Sequence, residues 1–137
     1  MKNFLFIPVM LLIMLLPDQN IKAQVSESKS EEKDIIEVYY FHVTRRCMTC
    51  KTVEAETGKA INEYFPEKVK DGTIVYKVLN LEEGDNEKIA EGLGVSGQTL
   101  LVKHGDKQVD ITNKAFMNAS DPERLRRQVK AGIESVL

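Results

Sequence analysis

Two cysteines three positions apart, in the stretch FHVTRRCMTCKTVEAE (residues 41–56), are the residues of this chain best suited to chemistry. Thiols at this spacing have three uses. They can make and break a disulfide with each other, clamp a soft metal ion or metalloid, or form a permanent bridge. The permanent bridge stabilises least, because closing so short a loop removes little chain entropy. A structural zinc ion needs four ligands, and His42 and His104 are the only histidines available to join Cys47 and Cys50. His42 lies in an apolar run, where a lone histidine is more often a hydrogen-bonded core or rim residue than a ligand. No metal is assigned, although the two thiolates alone suit Cu(I) or arsenite.

Disulfide exchange needs one thiol with a depressed pKa and a second to close the bridge. The motif sits where a buried strand is expected to pass into a helix. The first sulfur there faces free backbone N–H groups and the positive end of the helix dipole. Arg45, Arg46 and Lys51 add cationic charge nearby. Cys47 is therefore the candidate attacking and leaving sulfur, and Cys50, one turn into the helix, its resolving partner. Thr49 either hydrogen-bonds the Cys47 sulfur or simply occupies the first helical turn.

The elements that position the pair are legible in the flanking residues. IIEVYYFHVT (35–44) is apolar on both alternating sets, as expected of a central strand covered on both faces, with Tyr39, Tyr40 and Phe41 as sheet core. From Cys47 onward Val53, Ala60, Ile61 and Tyr64 recur at helical spacing, and Pro66 should stop that helix. TIVYKVLNL (73–81) reads as a second strand entered through Asp71-Gly72. DNEKIAEGLGV (85–95) reads as a short helix capped by Asp85. QTLLVKHGDKQVDI (98–111) reads as a hairpin turning at His104-Gly105-Asp106. A last helix opens with Asp121 as cap and Pro122 at its first position and should reach Val136. Its Arg124, Arg126, Arg127 and Lys130 read as a solvated face. If the strand from Thr99 runs antiparallel to the one carrying His42, His104 falls at the far edge of the sheet from the cysteines.

The chain is 137 residues long, enough for one core. Its 19 basic and 21 acidic residues are interspersed, with a net charge of -2, which argues against nucleic acid as a partner. Lys2, an apolar run of 13 residues from Phe4 to Leu16, and Ile21-Lys22-Ala23 have the plan of an export signal. That run is short of the roughly 20 residues needed to cross a bilayer. We expect a signal peptide over 1–23, a flexible charged linker over 24–34, and one domain over 35–137, exported to the periplasm or extracellular space.

The element order β-α-β-α-β-β-α together with C-x-x-C resembles the thioredoxin-like superfamily, over Ile35 to Leu137. The resemblance implies an α/β fold with a central mixed four-stranded sheet flanked by helices. It further implies exchange at Cys47-Met48-Thr49-Cys50 without a cofactor, in a monomer whose partner is a protein disulfide or thiol, with a membrane electron donor as a candidate source. GQTLLVKHGDK is similar to the stretch that follows the family's active-site-facing loop, where a cis-proline precedes a Thr-Leu pair. Here Gln98 stands before Thr99-Leu100, which places Gln98 and Thr99 on the substrate-facing loop. In the family that proline keeps metal off the cysteines, so its absence favours metal capture. Arg46 replaces the family's tryptophan, and Phe41 stands where thioredoxins carry a buried acid, which implies slower or differently tuned exchange. The string YYFHVTRRCMTCKTVE is similar to a small group of exported thioredoxin-like proteins described as ArsF-type subunits of a nitrophenyl compound nitroreductase. The G-x-G-x-x-G string GLGVSG (92–97) ends an expected helix and precedes an expected strand instead of joining strand to helix, so in such a system the chain would relay electrons rather than hold a flavin or nicotinamide.

Overall fold

Seven residues, Ile36–His42, form strand β1, and all but Glu37 are buried. In the computed structural model, which describes residues 34–137, β1 is central in a four-stranded sheet of order β2-β1-β3-β4. The expected signal segment and all of the expected linker except Asp34 lie outside the described residues. β2 (Ile74–Asn80) runs parallel to β1, with Ile36 opposite Ile74 and His42 opposite Asn80. β3 (Thr99–His104) runs antiparallel on the other side, with Phe41 opposite Thr99, and β4 (Lys107–Asp110) completes the hairpin through Gly105-Asp106. Gly105 has φ 55°, a left-handed conformation that glycine adopts without strain.

Period-two alternation sorts β1 into two cores. Ile36, Val38 and Tyr40 face one side with Leu100 and Val102, against helix α1 (Met48–Tyr64) and the C-terminal helix. Tyr39 and Phe41 face the other side with Leu101 and pack on Ala90 of a short helix, Asn86–Gly92. This is the mixed sheet with helices on both faces, and the thioredoxin-like arrangement, expected from the element order.

Two short helices depart from that expectation. Pro66 does not end helical structure but opens α2 (Pro66–Lys70) directly after α1, because proline's missing N–H costs nothing at a first helical position. After β2, helix α3 (Asn86–Gly92) starts without a side-chain cap; Asp85 instead pairs with Lys88 at 2.7 Å. A further helix, α4 (Thr112–Met117), follows β4, where six residues were too few to show a period. The last helix, α5 (Pro122–Glu134), is capped as expected, Asp121 accepting from the Arg124 N–H at 3.0 Å, and ends two residues short of Val136. Nor is Arg126 merely solvated. It donates to Glu56 at 2.6 Å and lies 3.2 Å from Glu63, clamping α5 to α1. Hydrogen bonds from Lys59 and Arg126 hold the buried Glu56 carboxyl below its ordinary pKa.

Gly132 lets α5 lie on the core. A Cβ there would stand 2.9 Å from Cγ2 of Ile111, a buried β-branched side chain with little freedom to turn away. Gly132→Ala should lose about 1–3 kcal/mol to overpacking against about 1 kcal/mol gained in helix propensity, so its unfolding midpoint should fall. A midpoint that rises would mean the contact relaxes freely.

His104 is at the end of the sheet far from the cysteines, as expected, opposite Ile36. Its Nδ1 faces the Val136 carbonyl oxygen at 2.8 Å and its Nε2 faces the Asp34 carboxylate. Both partners accept, so only the imidazolium satisfies both, and the pKa is raised, first by the Val136 carbonyl and then by Asp34. A raised folded pKa contributes stability that is complete below the unfolded value of 6.5 and is lost as pH climbs through the folded value. The unfolding midpoint should therefore decline as pH rises above 6.5, in a way that His104→Gln removes. Parallel pH profiles for the two proteins would contradict this.

Candidate functional site

β1 delivers the chain to the site at its C-terminal end, and a polar lattice fixes the loop that follows. The Leu81 N–H donates to the His42 carbonyl oxygen at 2.8 Å, extending the pairing of β1 with β2. Asn80 donates to the Thr44 hydroxyl at 2.9 Å, and the Thr44 N–H donates to Glu82 at 2.8 Å. Arg46 then ion-pairs with Glu54 of α1. Between these anchors Cys47 takes the N-cap position of α1 with extended backbone (φ -79°, ψ 172°).

The two sulfurs are in contact as free thiols. Cys47 is exposed, Cys50 is buried at 7 % exposure, and their sulfurs lie 2.9 Å apart. The Cys47 thiol is pulled below its ordinary pKa, first by the Cys50 side chain and then by the Cys50 backbone N–H, with the Thr49 hydroxyl and N–H adding to both. These are the N–H groups that an N-cap side chain normally serves, so the helix start itself favours the thiolate. Thr49 lies exposed in the first turn of α1, close to Cys47 in sequence.

The three cations expected around the thiolate are placed differently from one another. Arg45 and Lys51 are exposed on either side of the motif, whereas Arg46 directs its guanidinium at Glu54. The hydrogen bonds from Cys50 and Thr49, not a cation, are the leading influences on Cys47.

Gln98 reaches the pair from the loop before β3. The Cys50 thiol donates to its Oε1 at 3.5 Å, and its Nε2 donates to the Tyr40 hydroxyl at 2.8 Å. Tyr40 in turn donates to the Cys50 carbonyl oxygen at 2.9 Å. Burial pushes the Tyr40 pKa up to about 12, which keeps the phenol neutral and able to donate. Gly97, at φ 70°, turns the chain so that Gln98 points inward, and Thr99 is buried beside it with its hydroxyl on the Gly97 carbonyl at 3.3 Å. A small cleft opens next to this loop, lined by Leu81, Ala90, Val95 and Gly97 among others. Exposed Met48 stands at the mouth of the motif.

Tyr40 is the site residue that sequence reasoning assigned only to the core. The available signal was the phenol itself, since a tyrosine in a doubly buried strand needs a partner for its hydroxyl. His42 is buried, with Nδ1 at 3.0 Å from its neighbour's carbonyl oxygen, as a hydrogen-bonded rim histidine should be. Among the described residues, no three His, Cys, Asp or Glu side chains converge as a metal site.

A lowered pKa on an exposed sulfur beside a buried one sets an order of reactivity. Under limiting iodoacetamide at neutral pH, Cys47 should be alkylated well before Cys50, and Cys47 modification should saturate at lower pH than that of an ordinary thiol. Peptide mass analysis checks this, and equal labelling of the two would contradict it.

No family model matches the chain, and no curated protein matches it. Among solved structures, a malarial protein is similar at 17% identity and a TM-score of 0.47, covering 72% of this chain and 98% of that one. Thioredoxin from Trypanosoma brucei brucei is similar at 22% identity and a TM-score of 0.45, covering 74% of this chain and 77% of its own. The fold assignment rests on strand order, strand direction and connectivity rather than on these likenesses.

Proposed function

We propose that the chain is a thiol–disulfide oxidoreductase or electron carrier acting on the disulfide or thiol of a partner protein. One observation carries the reading: an exposed thiol of lowered pKa at a helix N-terminus, with a shielded second thiol 2.9 Å away. The Cys47 thiolate attacks a partner disulfide and forms a mixed disulfide. Cys50 then attacks Cys47, closing the intramolecular bridge and releasing the partner as a thiol. Arg45 and Lys51 stabilise the thiolate at longer range, with Arg46 partly neutralised by Glu54. The cleft beside Gly97, the loop carrying Gln98 and Thr99, and exposed Met48 form the surface that receives the partner chain.

The N-terminal apolar run supports export, and with it work in the periplasm or outside the cell. As a redox subunit of a nitroreductase system, the same pair would pass electrons to a separate cofactor-bearing protein. Two sulfurs in contact also favour a competing use, capture of a soft ion such as Cu(I) or arsenite without turnover.

The first test is the reduction potential of the metal-free Cys47/Cys50 pair, with Cys50→Ser as its companion. Equilibration in thiol–disulfide buffers should show one two-electron couple. A value near about -270 mV marks a reductant and one near about -120 mV an oxidant. Cys50→Ser should accumulate mixed disulfides visible on a gel without reductant, and Cys47→Ser should abolish exchange. Failure to form any intramolecular disulfide would overturn the reading in favour of ion capture.

A further inference from the structure

Gln98 meets the resolving sulfur with a group able to serve it in either charge state. The Cys50 thiol donates to Gln98 Oε1 at 3.5 Å, Gln98 Nε2 donates to Tyr40 at 2.8 Å, and Tyr40 donates to the Cys50 carbonyl oxygen at 2.9 Å. The three bonds close a ring, the single Cys50 proton going to Gln98 once Cys47 is bonded to the partner sulfur and to Cys47 while Cys47 is a free thiolate. The ring suits the thiol alone, because a thiolate at Cys50 would face a carbonyl oxygen.

A carboxamide carries a donor and an acceptor on one planar centre, and the last torsion of glutamine is broad and roughly twofold. Half a turn of the Gln98 amide brings Nε2 to the sulfur and Oε1 to the phenol. Tyr40, neutral because it is buried, can then donate to Oε1 instead of accepting from Nε2. The Cys50 carbonyl loses that donor but sits in the first turn of α1, where helical N–H groups follow it.

We propose that Gln98 is a positioning residue for the resolving step, its amide accepting from the Cys50 thiol before attack and donating to the Cys50 thiolate during it. The assignment rests on the exchange reading above. Cys50, slightly exposed, gives its proton to water, and the sulfur electron pair forms the bond to Cys47. The bond between Cys47 and the partner sulfur breaks, and the partner leaves as a thiolate that water reprotonates. The two cysteines are oxidised together and the partner disulfide is reduced. A hydrogen bond to an ionised acceptor is roughly twice as strong as a neutral one, so the amide favours the thiolate over the thiol. Its loss should slow resolution on the order of five- to tenfold.

The experiment mixes the full reduced protein with an excess of a nitrobenzoate disulfide whose leaving thiolate is coloured, in a stopped-flow instrument. The first release of colour reports attack by Cys47 and the second reports attack by Cys50. Gln98→Met, apolar and close in shape, should slow the second phase on the order of five- to tenfold more than it slows the first, and Tyr40→Phe should slow the second phase less. A second phase unchanged in Gln98→Met, or both phases slowed together in both variants, would overturn the assignment. A native protein that gives no first phase would instead overturn the exchange reading itself.

Discussion

The hydrogen bond from the Tyr40 hydroxyl to the Cys50 carbonyl oxygen ties the middle of the sheet to the first turn of the helix that carries both cysteines. Tyr40 is fully buried in the central strand, with neighbours on both sides that fix its direction. Its phenol thus acts as a rigid post. Cys50 hangs from it through the backbone and Gln98 through its amide. Because β1 is held by β2 and β3 and covered by helices on both faces, displacing that post would require opening the core.

That geometry explains how a thiolate is favoured in a chain of nearly balanced charge. The helix start presents N–H groups to Cys47, and backbone dipoles held by a folded helix cost no further ordering when the charge appears. Long cationic side chains would have to be ordered first. Two of the arginines that might have served instead hold elements together: Arg46 ties the loop to α1, and Arg126 ties α5 to α1 through Glu56. A buried carboxylate such as Glu56 is tolerable because Lys59 and Arg126 satisfy it, and removing one partner of such a pair strands the other. Of the three cations beside the motif, Arg46 thus serves position.

The described domain has a chemical end and a structural end. The loops from Thr44 to Cys47 and from Val95 to Thr99 lie at the C-terminal end of β1, the first held by the polar lattice of Asn80, Glu82 and Thr44 and the second by Gln98 on Tyr40. At the opposite end His104 joins the Val136 carbonyl to Asp34, the first described residue. The sheet register separates the two, since Ile36 lies opposite His104 and Phe41 opposite Thr99. Titration of His104 thus acts on stability at a distance from the sulfurs.

The sequence by itself determined the elements with strong periodicity or distinctive termini. β1 was legible because both of its faces are apolar, α1 from Val53, Ala60 and Ile61, the hairpin from Gly105, and α5 from Asp121 and Pro122. The motif was legible because two thiols at that spacing have few uses. Helices α2 and α4 were not, being too short for a period to emerge. Only the tertiary structure decided the partners of polar side chains. Asp85 turned to Lys88, Arg126 to Glu56, and Gln98 to Tyr40, 58 residues away in the chain. Hydrogen bonds and ion pairs depend on ångström-scale separation and direction, which strand register and helix packing set and residue order alone does not encode.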